Sequence, residues 1–251
     1  MTAGLWIADT QRLNLDARLE EMLPLLTGPE REKTLRFRKR EDRIRCAVGR
    51  LLIRALAAER PGQAEAPLQV SAYGKPYFAG ENAVQFSLSH AGRLVVLAAG
   101  DVPLGVDVEE RRPLDWRELA SFLGAEEQRL LEGAEDPLRL FYRIWTAREA
   151  FSKEEGLGLP IFESGDAVMD YGGGTVRYQG RRLRLKTWEL PGYTLSLCAS
   201  RLGEIRPHWL SAGDWERILS CSEGARLPGR EKEAEKRPGQ AVDHMETAAP
   251  E

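Results

Sequence analysis

Hydrophobic positions between Asp136 and Gly156 recur at the period of an α-helix. Leu138, Phe141, Tyr142 and Trp145 share one face, and Leu140, Ile144, Ala147 and Phe151 share the opposite one. Asp136 supplies a cap, Pro137 suits the first turn and Gly156 a stop, so the stretch predicts one long helix buried on two faces. Glu149 continues the aromatic stripe where the period calls for another apolar side chain. Taken within the helix alone, it has two readings. One is an i,i+4 ion pair with Lys153; the other is a buried carboxylate that needs a partner or a cation to offset its desolvation.

The same reading orders the rest of the chain. Gly4 to Ala8 predicts a strand, and Leu15, Leu19, Leu23 and Leu26 a helix broken by Thr27-Gly28-Pro29. A basic helical segment follows from Pro29 to Arg40, then a helix from Glu41 to Arg60 with Ile44, Val48, Leu51, Leu52 and Leu56 inward and Arg43, Arg45 and Arg50 on a cationic face. Pro67 to Ser71 predicts a strand entering the turn Tyr73-Gly74-Lys75-Pro76-Tyr77. From Val84 to His90 the chain alternates, with Val84, Phe86 and Leu88 on one side and Gln85, Ser87 and Ser89 on the other; Leu94 to Ala99 completes a hairpin.

Pro103 to Glu109 predicts the strand that opens the second half, and Asp115 to Phe122 and Ala125 to Glu132 predict short helices before the long one. Ala167 to Tyr171, Thr175 to Gln179, Leu183 to Glu189 and Thr194 to Ala199 predict a meander, its first pair joined by Gly172-Gly173-Gly174. Each half thus presents a helix and then strands, which suggests internal duplication. The expected division is a first lobe over 1–102, a second over 103–221 carrying the candidate metal site, and a disordered tail over 222–251, rich in Glu, Lys, Gly, Pro and Ala without apolar period.

Composition narrows the function classes. The 251 residues are 42% hydrophobic and 30% charged with a formal net charge of -3, enough for a sizeable core and without the charge excess that would argue for nucleic acid or a membrane surface. Cys46, Cys198 and Cys221 are odd in number and far apart, so neither a disulfide framework nor a zinc site is expected and the reducing cytoplasm fits best. No apolar run reaches the roughly 20 residues of a membrane helix, and Met1 to Leu15 lacks the form of a signal peptide.

The candidate chemistry is acidic and basic. Asp107 and Glu109 are two apart on a strand and leave one face roughly 6 to 7 Å apart along the backbone. Hard oxygen ligands of this kind suit Mg²⁺, and Glu149 becomes a natural third if the long helix crosses that strand end. Read in isolation, the pair is a solvated strand end beside Glu110, Arg111 and Arg112 as ordinary surface charge. His90 closes the alternating strand, and with Lys33, Arg45 and Lys75 it offers donors to phosphate oxygens, although each of those cations alone reads as ordinary surface charge.

Four motifs in series, Tyr73-Gly74-Lys75-Pro76, Phe86-Ser87-Leu88-Ser89-His90, Gly105-Val106-Asp107-Val108-Glu109 and Trp145-Thr146-Ala147-Arg148-Glu149-Ala150-Phe151-Ser152-Lys153, resemble the 4'-phosphopantetheinyl transferases of the surfactin-synthetase-activating (Sfp) type. The likeness runs from Trp6 to about Leu219. It implies an α+β fold of two similar lobes related by pseudo-twofold symmetry, with coenzyme A between them. It also implies a monomer, since family members of half this length form trimers. By resemblance, Asp107, Glu109 and Glu149 hold Mg²⁺ or Mn²⁺, His90 and Lys153 contact the pyrophosphate, and Lys33, Arg45, Lys75, Pro76 and Ser89 hold the 3'-phosphate and adenine part. The implied reaction moves the 4'-phosphopantetheine arm to a serine of an apo acyl or peptidyl carrier protein and releases 3',5'-ADP, with Glu149 as general base and Lys153 and His90 behind the leaving group. Loops around Arg111 to Phe122 and Leu157 to Phe162 are docking candidates for the carrier.

Two positions depart from the family pattern. Arg148 stands where W-x-x-K-E has lysine, and Leu157 where a lysine is usual. Two other classes fit parts of the sequence: a Mg²⁺-dependent phosphohydrolase or nuclease built on the same carboxylates, and a coenzyme A-binding scaffold without catalysis.

Overall fold

Two mostly antiparallel sheets lie face to face between two long helices in the computed structural model, which describes residues 3–58, 68–80, 83–158, 162 and 166–220. The expected tail from Ser222, the helix end at Arg60, the strand start at Pro67 and most of Leu157 to Phe162 beyond Gly158 fall outside those residues. Among the described residues no helix is long and apolar enough to cross a membrane, and Cys46 and Cys198 are free thiols.

The first sheet contains β1 (Gly4–Asp9), β4 (Gln85–Ala91) and β5 (Leu94–Gly100), in the order β1-β5-β4. The predicted leucine-rich helix is only a short α1 (Leu19–Met22) running into a 3-10 turn over Leu23–Leu25, where Pro24 removes a donor. The basic segment is helical only over α2 (Gly28–Leu35), and it is followed by α3 (Arg40–Ala58). Thr27 closes α2 reciprocally with Glu30, whose carboxylate accepts from the Thr27 N–H at 3.0 Å. A separate hairpin, β2 (Leu68–Val70) with β3 (Pro76–Phe78), turns through Gly74 at φ +84°.

β6 (Leu104–Glu110) opens the second sheet. A 3-10 segment over Trp116–Phe122, α4 (Ala125–Glu132) and α5 (Pro137–Glu155) follow, and then β7 (Val168–Asp170), β8 (Thr175–Tyr178), β9 (Arg181–Leu190) and β10 (Tyr193–Ala199). The sheet order is β6-β10-β9-β8-β7. Helix α5 begins and ends where its punctuation predicts: Asp136 accepts from the Arg139 N–H at 3.0 Å, and Gly156 turns left-handed at φ 74°.

Strand alternation assigns every layer. Leu5 and Ile7 of β1, Leu94 and Val96 of β5, Val106 and Val108 of β6, and Leu195 and Leu197 of β10 form one core shared by the two sheets. Trp6 and Ala8, Val95, Leu97 and Ala99 point the other way into a core under α3 with Val48, Leu51, Leu52 and Leu56. Helix α5 covers the far face of the second sheet, where Ala147, Ala150 and Phe151 meet Val176, Leu183 and Cys198. Asp107 and Glu109 alternate with Val106 and Val108, so they emerge on the α5 side. The layer order is therefore α3, first sheet, second sheet, α5.

The chain does not stay in its second half. β11 (His208–Trp209) runs parallel to β1, and α6 (Ala212–Leu219) buries Trp215 and Ile218 in the core under α3. Residues 208–219 thus pack with the first sheet. The α6 cap is a reciprocal pair: Ser211 accepts from the Asp214 N–H at 3.2 Å, and Asp214 accepts from the Ser211 N–H at 2.9 Å. Burial acts to raise the Asp214 pKa, but the Ser211 donors, with His208 and Arg217, outweigh it and bring the value to about 2 against 3.8 unperturbed. A depressed carboxylate contributes stability above its unfolded pKa and loses it on acidification, here as pH falls from about 3.8 through about 2. Thermal unfolding across that range is expected to show the Asp214→Asn variant less acid-sensitive than the parent, and about 1 to 2 kcal/mol less stable near neutrality.

Candidate active site

The polar face of β4 does not meet solvent. It meets β6. The Val106 N–H donates to Ser87 Oγ at 3.1 Å and the Val108 N–H to Ser89 Oγ at 3.3 Å, so two serine hydroxyls join the sheets where β4 and β6 run alongside each other. Ser89 Oγ also donates to Asp107 Oδ1 at 2.8 Å, and Lys153 Nζ donates to the same Oδ1 at 2.6 Å and to Ser89 Oγ at 3.2 Å. Asp107 is buried at 3% exposure, and its other oxygen, Oδ2, has no hydrogen-bond partner. The ion pair of Lys153 is therefore with Asp107 across the layer, and the i,i+4 pairing with Glu149 does not explain this lysine.

Close approach of α5 to β6 depends on Gly105. A Cβ there would stand 2.0 Å from the Ala150 carbonyl oxygen and 2.4 Å from the Glu154 nitrogen, both backbone atoms that cannot yield. Without that glycine, Lys153 could not reach Asp107 over so short a gap.

Glu109 and Glu149 are half-buried beside this pair. Burial and then the charge of Asp107 push the Glu109 carboxyl up to about 7, with Glu149 adding to the effect. Burial also raises Glu149; Asp107 adds to the rise, while Lys153 and Arg148 oppose it. Burial alone would lower the Lys153 ammonium, but Asp107, Glu149 and Glu109 together hold it above its ordinary value. Three carboxylates thus repel one another around one lysine and one orphaned oxygen. Among the described residues no three acidic, histidine or cysteine side chains already stand as an assembled metal-binding group. The donor set nevertheless fits a divalent cation: a hard ion would occupy the unpartnered Asp107 Oδ2 and relieve the mutual repulsion of Glu109 and Glu149.

The basic residues divide. Lys75, Pro76, Glu149 and Lys153 line one cavity of about 210 Å³ together with Tyr73 and Ser87. Lys75 is already engaged: its Nζ donates to the carbonyls of Lys153 at 2.5 Å, Leu104 at 3.1 Å and Glu154 at 3.5 Å, capping the C-terminal turn of α5 from the other half of the chain. Burial lowers its pKa, against the pull of Glu154 and Glu155. Urea denaturation without coenzyme A is expected to find Lys75→Met about 1 to 3 kcal/mol less stable, because those carbonyls lose their donor.

Arg45 donates to the Gly92 carbonyl at 2.6 Å and pairs with Asp42; it lines a second cavity, of about 590 Å³, with Arg93, Arg112 and Tyr193. His90 lies between the two groups. Its outer edge is open to water, but neighbouring atoms crowd the imidazole and, with the Arg45 and Lys153 charges, hold its pKa below the ordinary value. Lys33 is exposed on α2 and lines neither cavity. Six expected residues therefore assemble directly (Lys75, Ser89, Asp107, Glu109, Glu149 and Lys153), Pro76 lines their cavity, His90 and Arg45 flank it, and Lys33 stands apart. Ser87 went unassigned in the sequence, although its two-residue spacing from Ser89 already put it on the same face.

Comparison with known proteins places the chain in a family. Residues 14–102 match the family model described as 4'-phosphopantetheinyl transferase, N-terminal, and residues 103–198 match that of the 4'-phosphopantetheinyl transferase superfamily. The chain is 29% identical to the 4'-phosphopantetheinyl transferase ffp of Bacillus subtilis over 191 residues, which is 72% of this chain and 85% of that protein. It is 28% identical to the transferase Sfp of Bacillus subtilis (strain 168) over 190 residues, 72% and 85% of the two chains. To psf-1 of Bacillus pumilus it is 28% identical over 217 residues, 83% of this chain and 90% of that one.

Proposed function

Because the chain belongs to the Sfp-type 4'-phosphopantetheinyl transferase family, we propose that it transfers the 4'-phosphopantetheine arm of coenzyme A to a serine of an apo acyl or peptidyl carrier protein, releasing 3',5'-ADP. The observation that carries this is the cluster of Asp107, Lys153 and Ser89 with Glu109 and Glu149 beside it, of which Glu149 and Lys153 line a cavity shared by both halves of the chain.

Asp107, Glu109 and Glu149 would hold Mg²⁺, or Mn²⁺ in its place. The bound ion would supply neutralisation of charge on the pyrophosphate oxygens. Glu149 takes the proton from the carrier serine, directly or through one water. The serine oxygen forms a bond to the β-phosphorus as the bond from that phosphorus to the bridging oxygen breaks. The departing 3',5'-ADP carries the electron pair. Lys153 stabilises that departing oxygen, and His90, neutral at physiological pH because its pKa is lowered, donates a hydrogen bond beside it. Lys75, Pro76, Ser89 and Arg45 form the binding side for the 3'-phosphate and adenine part, and Lys33, which lines neither cavity, is given no contact there; for Lys75 this requires exchange of its backbone carbonyls for phosphate oxygens. The two halves act as duplicated lobes of a cytoplasmic monomer.

Incubation with coenzyme A, Mg²⁺ and an apo carrier, read by mass spectrometry of the carrier, tests the proposal. A mass gain equal to the arm is the expected result. Phosphate release without an acceptor would establish a phosphohydrolase instead, and coenzyme A binding without any transfer would establish a scaffold.

A further inference from the structure

Arg148 immediately precedes Glu149 on α5, yet it lines neither the cavity that holds Glu149 nor the one beside Arg45. It lines a third, of about 560 Å³, with Glu127, Phe162 and Tyr171. There its Nη1 donates to Glu127 Oε2 at 2.5 Å, and its guanidinium carbon stands 3.8 Å over the centre of the Phe162 ring. Glu127 Oε2 also accepts from the Gly124 N–H at 2.8 Å, closing the cap of α4, while Oε1 accepts from the Tyr171 hydroxyl. Arg148 and Glu127 are buried at 7% and 8% exposure. One carboxylate therefore ties three elements together: the start of α4, the middle of α5 and the end of the β7–β8 hairpin.

Successive helix positions are about 100° apart, so any roll of α5 that releases Arg148 from Glu127 swings Glu149 by the same angle. A lysine has no planar group to stack flat on Phe162. We infer that Arg148 is a positioning residue of the transferase site, whose buried contacts with Glu127 and Phe162 set the roll of α5 and so aim Glu149 into the cleft. The inference rests on the role given to Glu149 above.

The test compares the parent with Arg148→Lys, the paired change Arg148→Met with Glu127→Gln, and Glu149→Gln. Each is followed by steady-state transfer, by binding of Mn²⁺ alone measured as loss of the free-ion electron paramagnetic resonance signal, and by thermal unfolding. Methionine with glutamine leaves no buried charge at this pair and keeps an amide oxygen for the Gly124 N–H that caps α4, so the paired variant separates folding from aim. The expected result is a paired variant that melts near the parent, keeps its KM for coenzyme A within about twofold, binds Mn²⁺ more weakly, and loses roughly ten- to a hundredfold in kcat, the scale set by misplacing a reacting group. Arg148→Lys is expected to fall between the two. Parental kcat and Mn²⁺ affinity in the paired variant, with Glu149→Gln impaired, would overturn the inference alone. Parental behaviour of Glu149→Gln would overturn it together with the reading of the site.

Discussion

Glu149→Gln is expected to lower kcat by about 10²- to 10⁴-fold, the range lost with a positioned general base, while raising the melting temperature of the protein free of divalent ions. The two effects have one origin. The folded state holds Glu149 half-buried near Asp107, and both surroundings raise its pKa above the unfolded value. A carboxyl whose folded pKa is raised binds its proton more tightly in the native state, so at pH above the unfolded value its ionised form costs stability. Glutamine keeps the shape and removes that cost. Function and stability therefore move in opposite directions at this position, as is common where a site is built against local electrostatic preference. Addition of Mg²⁺ is expected to raise the melting temperature of the parent and to raise that of Glu149→Gln less. Near-normal transfer by the variant, with parental metal binding, would remove Glu149 from the role of base.

How much of this was legible beforehand depended on the range of the interaction. Helix α5 announces itself through adjacent residues: Asp136 and Gly156 are local punctuation, and the observed helix spans Pro137–Glu155. The alternation of Val84 to His90 was equally local, and the structure adds only what lies opposite it. The serines face β6, because their hydroxyls satisfy backbone donors of a strand with which β4 forms no hydrogen-bonded ladder. Nothing in the letters near Arg148 points to Glu127, 21 positions earlier, or to Tyr171 beyond the far end of the helix; their meeting is a product of packing. The basic run after Pro29 shows the opposite error. Its residues favour helix individually, yet α2 ends at Leu35, and the Arg43 side chain donates to the Phe37 carbonyl beyond that end.

The site itself was legible as a set of residue types but not as a geometry. Asp107, Glu109 and Glu149 could be grouped on the assumption that α5 crosses β6, and that crossing is present. What no spacing could supply is which atom takes which partner. Lys153 could be read as a phosphate contact or as the i,i+4 partner of Glu149, whereas its ammonium is held by Asp107 and Ser89. Lys75 likewise read as a surface cation, whereas it closes the end of α5. Both lysines are thus held by the chain's own oxygens, which keeps these charges ordered in the folded protein.

Lys153→Met follows from that arrangement and has the largest expected effect on folding. The Asp107 carboxylate is 4% exposed, with Lys153 at 2.6 Å on one oxygen and nothing on the other. Removing one partner of a buried pair leaves an uncompensated charge and typically costs about 3 to 5 kcal/mol, far above the 0 to 1 kcal/mol of a surface pair. Urea denaturation is expected to show a loss of about that size, with transfer falling below detection because the group proposed to stabilise the departing oxygen is gone as well. The double change Asp107→Asn with Lys153→Met separates the two losses. Asparagine keeps an acceptor for Ser89 Oγ without a buried charge, so most of the stability is expected to return while activity does not. A single variant that costs no more than a surface pair would mean that water already reaches Asp107 freely, and a double variant that regains transfer would mean that the pair serves the fold alone.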